Sequence, residues 1–186
     1  MASTLTAWPR NKILEDTIEH KSLHAALGID KEFIQNLINE IGDLQFVVRL
    51  AVIVEGATAF ALQKKVSQPE VADWITENAT HSERLGLAEK LKIIDSKSLK
   101  VFRKLSEIRN KFAHRPENLN KKLEEFYIEL DIDKQKSMID AFAYFLTETT
   151  QTAPYDDTVL RTNFRDALLT VTMVPLFELS SAIANK

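Results

Sequence analysis

An arginine, an amide and an imidazole stand close together at Arg109, Asn110 and His114, within the stretch KLSEIRNKFAHRPENL over residues 104–119. Those groups suit phosphate chemistry. A guanidinium presents paired donors to phosphate oxygens, an amide both donates and accepts, and an imidazole titrates near neutrality and can move a proton. The spacing complicates a site made by one chain. Five residues of ideal helix turn through about 140°, so Arg109 and His114 on one helix point to different sides. Either the helix end redirects His114, or a second copy of the stretch completes the site. A plainer account competes with both: a cationic histidine near a helix C-terminus suits the helix dipole without any ligand.

Arg109 follows Leu105 and Ser106 by one turn, which sets it at the border of an apolar face. A guanidinium there needs a carboxylate, carbonyls or a phosphate. Glu55 is one carboxylate that could hold it, as a structural brace as readily as part of a site. Around these residues the charge is uneven. Residues 96–115 carry seven basic side chains against one acidic, Glu107, and residues 116–157 reverse this with ten acidic against four basic. Lys97, Lys100, Lys104, Lys111 and Arg115 fall on one helical stripe. Such a stripe is first a solvated face opposite the core positions Val101, Leu105, Ile108 and Phe112. The sharper reading is an electropositive strip for RNA or another polyanion, with Lys104, Lys111 and Arg115 as the phosphate contacts.

Other candidates are weaker. His20 and His24 have the i, i+4 spacing of a metal pair, but they belong to an N-terminal helix expected at the surface, and we assign no metal site. His81 is read as part of a helix start. There is no Gly-rich phosphate loop, nucleophile elbow, zincin pattern or helix-turn-helix, and no cofactor is expected. The absence of cysteine excludes disulfides and thiolate metal sites and fits a reducing cytoplasm. A net charge of −3 gives no overall nucleic-acid signature. The start, MASTLTAWPRNK, has no apolar run behind its basic residues, so no secretory signal is expected.

These residues must be positioned by helices. Apolar periodicity is helical throughout, and four glycines and five prolines leave few turns for hairpins. We expect one all-α domain, a bundle of six or seven helices: an N-terminal helical extension over 1–30 and the main helical domain over 31–186. Within it a long segment runs from Asp30 to about Val66, bent near Gly42–Asp43. Its stretch LQFVVRLAVIVEGATAFAL, 44–62, is apolar enough to suggest a membrane. Arg49 and Glu55 lie inside it, however, and a central charge costs roughly 2.5–3.5 kcal/mol in lipid. It reads instead as the central helix of a soluble bundle, with Arg49 and Glu55 each paired to another helix. Pro69 opens a short helix through EVADWITEN. Thr80 and Glu83 form a capping box for a helix over 81–93, and Asp95 or Ser96 caps the next, over 97–114. Arg115 precedes a proline and is pushed out of helical geometry. A polar, acidic link leads to a helix over 134–150. The last helix, capped by Asp156 or Asp157, runs to about 184 with a kink or interruption at Pro175.

RNKFAH, residues 109–114, resembles the Arg-polar-(several)-His motif of the HEPN superfamily of helical domains. Asn110 stands at the polar position and the gap is four. In order along the chain, FVVRLAVIVEGATAFALQKKV, ERLGLAEKLKIID, LSEIRNKFAH and RDALLTVTMVPLFELSSAIANK together resemble the mannitol operon repressor family, a branch with this HEPN-like fold. The resemblance covers most of residues 44–186. It implies a homodimer packed near the motif helix. The repressor branch implies negative regulation of transcription through protein or RNA partners, without a recognisable DNA-binding motif. The wider superfamily implies a metal-independent endoribonuclease: Arg109 would hold the scissile phosphate, Asn110 would orient it, and His114 would act as general acid/base across a dimer cleft.

Overall fold

The computed structural model describes residue 29 and residues 31–150 and 157–184. Among them the periodic apolar positions form eight α-helices, one 3-10 turn and no strand. In chain order these are α1 (Lys31–Ile38), α2 (Asp43–Lys65), α3 (Pro69–Asn78), α4 (His81–Lys90), α5 (Ser96–His114), the 3-10 turn Pro116–Asn118, α6 (Leu123–Ile128), α7 (Ile132–Thr150) and α8 (Thr158–Ala184). The all-α bundle expected from the sequence is what forms. The expected helix over 10–27, with His20 and His24, lies outside the described residues.

α2 is apolar nearly all round because it packs against α1, α3, α4, α5 and α8. Phe46, Val47, Leu50, Val54, Ala57 and Leu62 are buried along it. Thr58, its buried polar residue, satisfies its hydroxyl on the Val54 carbonyl at 2.7 Å. α2 has the length and hydropathy of a membrane span, yet half of its most apolar stretch is buried inside the fold. Its charges have protein partners: Arg49 pairs with Glu40 at 2.9 Å, and Glu55 pairs with Arg109. α5 lies against α2, α4, α7 and α8 and buries Leu99, Val101, Phe102, Leu105, Ile108 and Phe112.

The helix ends follow local chemistry. The Thr80–Glu83 capping box is closed in both directions, with the Thr80 N–H on Glu83 at 2.7 Å and the Glu83 N–H on Thr80 at 3.3 Å. Asp95 caps α5 by accepting from the Ser98 N–H at 2.7 Å. Arg115 leaves the helix at φ −125°, ψ 105°, as its proline neighbour requires.

Three expectations are corrected. The segment from Asp30 to Val66 is not one bent helix: α1 and α2 are separate, joined by residues 39–42. Arg165 stabilises that break, because its Nη2 donates to the carbonyls of Ile38 (3.4 Å) and Glu40 (2.5 Å) while Nη1 holds Asp43 at 2.9 Å. The acidic link after His114 is structured, and α7 begins at Ile132 rather than 134. α6 forms within that link because Leu123, Phe126 and Tyr127 at i, i+3 and i+4 bury one face. These two differences raise the helix number above the six or seven expected. Finally, the departure from helical geometry in α8 is at Asn163 (φ −143°, ψ 42°), and the helix continues through Pro175. A mid-helix proline costs about 3 kcal/mol. Val171, Met173, Leu176 and Leu179 are buried on both sides of it, and each is worth roughly 1.5–3 kcal/mol in place, so packing wins.

Candidate functional site

The Arg-polar-His stretch occupies the last two turns of α5. Arg109 faces α2, where its Nη2 donates to Glu55 Oε1. Both side chains remain 29 % exposed, so the pair sits at the edge of the core rather than within it. A half-solvated ion pair of this kind contributes about 1 kcal/mol. A guanidinium carries five N–H donors, and the other donors of Arg109 meet no protein acceptor among the described residues. Arg84 behaves differently. Its Nε and Nη2 close the C-terminal carbonyls of α3 at Ile75 (3.1 Å) and Thr76 (2.8 Å).

Asn110 and His114 are exposed, and the continuous helix through His114 keeps the angular offset from Arg109 that the spacing implies. The end of α5 does not redirect His114 within the helix. What closes that end is Asn118: its buried side chain donates Nδ2–H to the Lys111 carbonyl at 3.1 Å. The helix C-terminus is thus capped by an amide from the 3-10 turn.

The cationic candidates divide. Lys104 is paired with Glu107 at 2.8 Å. Lys97 lies over the ring of Tyr144, 3.2 Å from its centroid. Lys111 and Arg115 make no ion pair among the described residues. Lys111 is half-buried with its ammonium 5.6 Å from the Phe126 ring centre. Burial, and then the charge of Lys134, hold its ammonium below the usual lysine range; Lys104 and Arg115 add to this and Glu107 opposes it. Lys111, Arg115 and Lys134 line one side of an open cavity of about 220 Å³, with Glu129 and Asp131 on its wall. Of the stripe, Lys100, Lys111 and Arg115 make no ion pair among the described residues, while Lys134 at the cavity is held by Asp131.

His81, which the sequence assigns only to a helix start, stands in the electrostatic field of the Arg109–Glu55 pair. Burial holds its imidazole below the ordinary value of 6.5; Glu55 opposes that, and Arg109 and Arg84 reinforce it. Its Nδ1 is enclosed and has no hydrogen-bond partner. The histidine that shares surroundings with Arg109 in one chain is therefore His81, on α4, rather than His114. No sequence pattern joins residues 55, 81 and 109, because three helices bring them together. Among the described residues no three or more His, Cys, Asp or Glu side chains gather as a metal site.

Comparison with family models, curated proteins and solved structures returns no match for this chain. The HEPN and mannitol-repressor resemblance therefore rests on the residues quoted above.

Proposed function

We propose that this is a cytoplasmic regulatory protein of the HEPN-like, mannitol-repressor type, acting as a homodimer by binding a protein partner. One observation carries this: Asn110 and His114 are exposed at the end of α5 while Arg109 is turned aside to Glu55. That distribution gives a displayed polar surface, suited to recognition. The four ordered blocks of resemblance point the same way. Capture with purified protein is expected to recover one specific protein partner, with no binding of bare operator DNA. Tight, sequence-specific binding to naked DNA would count against it.

A second reading, a metal-independent endoribonuclease, is favoured by the free donors of Arg109, which could meet a phosphate. It requires that a second copy bring its His114 to this arginine. Cleavage of single-stranded RNA in EDTA, abolished by Arg109→Ala and by His114→Ala, would establish it. Cleavage unchanged in both variants would remove it. Light scattering tests the dimer directly: a single-chain mass at micromolar concentration excludes it.

A further inference from the structure

A cavity of about 460 Å³ opens where the C-terminal ends of α2 and α8 meet the turn after α4. Its volume lies in the range of small-molecule sites. Ala61 and Leu179 are buried in its wall, and Ile93 and Ile183 are half-buried against the core. The same space is lined by Lys64, Lys65 and Lys92. None of the three pairs with a carboxylate among the described residues. Two of them end α2, where a cation also suits the helix dipole. The third, Lys92, follows the C-terminus of α4, where the same dipole argument holds.

Lys92 has φ 54°, the left-handed region, and is alone in this among the described non-glycine residues. It follows the end of α4, where Lys92 N–H donates to the Glu89 carbonyl (2.9 Å) and Ile93 N–H to the Ala88 carbonyl (2.8 Å). Glycine takes that position at least cost. An L-residue there is strained. The residue in this conformation is a lysine that lines the cavity. Beyond Lys92 a second cavity shares Lys92, Ile93 and Leu179 but is lined by Glu89, Asp95 and Glu178. Burial, then Asp95, hold the Glu178 carboxyl above its usual range. The carboxyl-bearing side chains therefore line the neighbouring cavity and the lysines this one.

We propose that the cavity between α2, α8 and the turn after α4 binds an amphiphilic anion, a medium-chain carboxylate. Its aliphatic chain lies on Ala61, Ile93, Leu179 and Ile183, and its carboxylate meets Lys92, with the lysines that end α2 adding positive charge. The site is independent of the proposed regulatory role. The test is titration of the full chain with decanoate below its aggregation concentration, followed by calorimetry and backbone amide shifts. Saturable binding is expected, with shifts centred on Lys92, Ile93 and Leu179. Decyltrimethylammonium, with the same chain and opposite charge, is expected not to compete. Lys92→Gly relieves the left-handed strain, so its thermal midpoint should equal or exceed that of the wild type. Its decanoate affinity should nevertheless fall at least about fivefold, the loss of one charge-assisted contact. Paired Lys64→Glu and Lys65→Glu substitutions should weaken binding further. No saturable binding, equal binding of the cationic amphiphile, or unchanged affinity in Lys92→Gly would each overturn the proposal.

Discussion

Arg165 and Arg109 both sit on buried-faced helices and both hold a carboxylate of α2, yet they are built for different ends. Arg165 is held by several partners at once. It pairs with Asp43, donates to the Ile38 and Glu40 carbonyls, and stacks 4.3 Å from the Phe46 ring centre. Its side chain is 19 % exposed and that of Asp43 12 %. Asp43 in turn accepts the Leu123 N–H at 2.8 Å, which ties in the start of α6. Arg109 has one carboxylate and one hydrogen bond, and its partner Glu55 has more than twice the exposure of Asp43. The first arginine joins α1, α2, α6 and α8 into one corner. The second makes one contact, to Glu55, and its other donors meet no protein acceptor among the described residues. Several partners at once mark a brace, while Arg109 keeps donors that meet no protein acceptor among the described residues.

That contrast can be broken by substitution. Arg165→Ala leaves Asp43 half-buried without its cation and two carbonyls without a donor, and should cost about 3 kcal/mol or more. A denaturant midpoint that barely moves would show that Arg165 is no brace. Arg109→Ala should cost only about 1 kcal/mol, and the same denaturation experiment compares the two directly. Asn118→Ala removes the amide that closes α5 and should also cost about 1 kcal/mol, with hydrogen exchange accelerated at the last turn of α5.

A smaller effect tests the surroundings of Arg109. Because burial lowers the pKa of His81 in the folded chain, the unfolded chain takes up the proton first as pH falls. The stability associated with neutral His81 is therefore present above pH 6.5 and is lost as pH falls from there through the lower folded value. His81→Gln should flatten the thermal midpoint between pH 7 and the acid side relative to wild type. An identical pH profile in the variant would place His81 outside that coupling. The smallest change is expected at the surface itself: Asn110→Ala and His114→Ala should each shift stability by no more than about 0.5 kcal/mol.

The two regions also differ in how far the sequence discloses them. Arg109 at the border of an apolar stripe requires a partner, and Glu55 on an apolar helix requires one too, so their pairing is legible. The Thr80–Glu83 box and the stop before Pro116 are local and equally legible. The role of Arg165 is not, because it depends on carbonyls from residues 38 and 40, far away in sequence. For the same reason the α1–α2 break reads as a bend. α6 hides in an acidic stretch because only Leu123, Phe126 and Tyr127 face inward, too short a pattern to outweigh the charges around it. His81 is hidden more deeply still, since its neighbours Glu55 and Arg109 come from two other helices. Packing offsets Pro175, and no local rule registers that.

The central claim is that the end of α5 is a binding surface rather than a structural element. Affinity capture with wild-type protein and with an Asn110→Ala/His114→Ala double variant, matched in thermal midpoint, tests it most directly. The account predicts that one protein partner is recovered by the wild type and lost from the variant. Recovery of the same partner by both would contradict it.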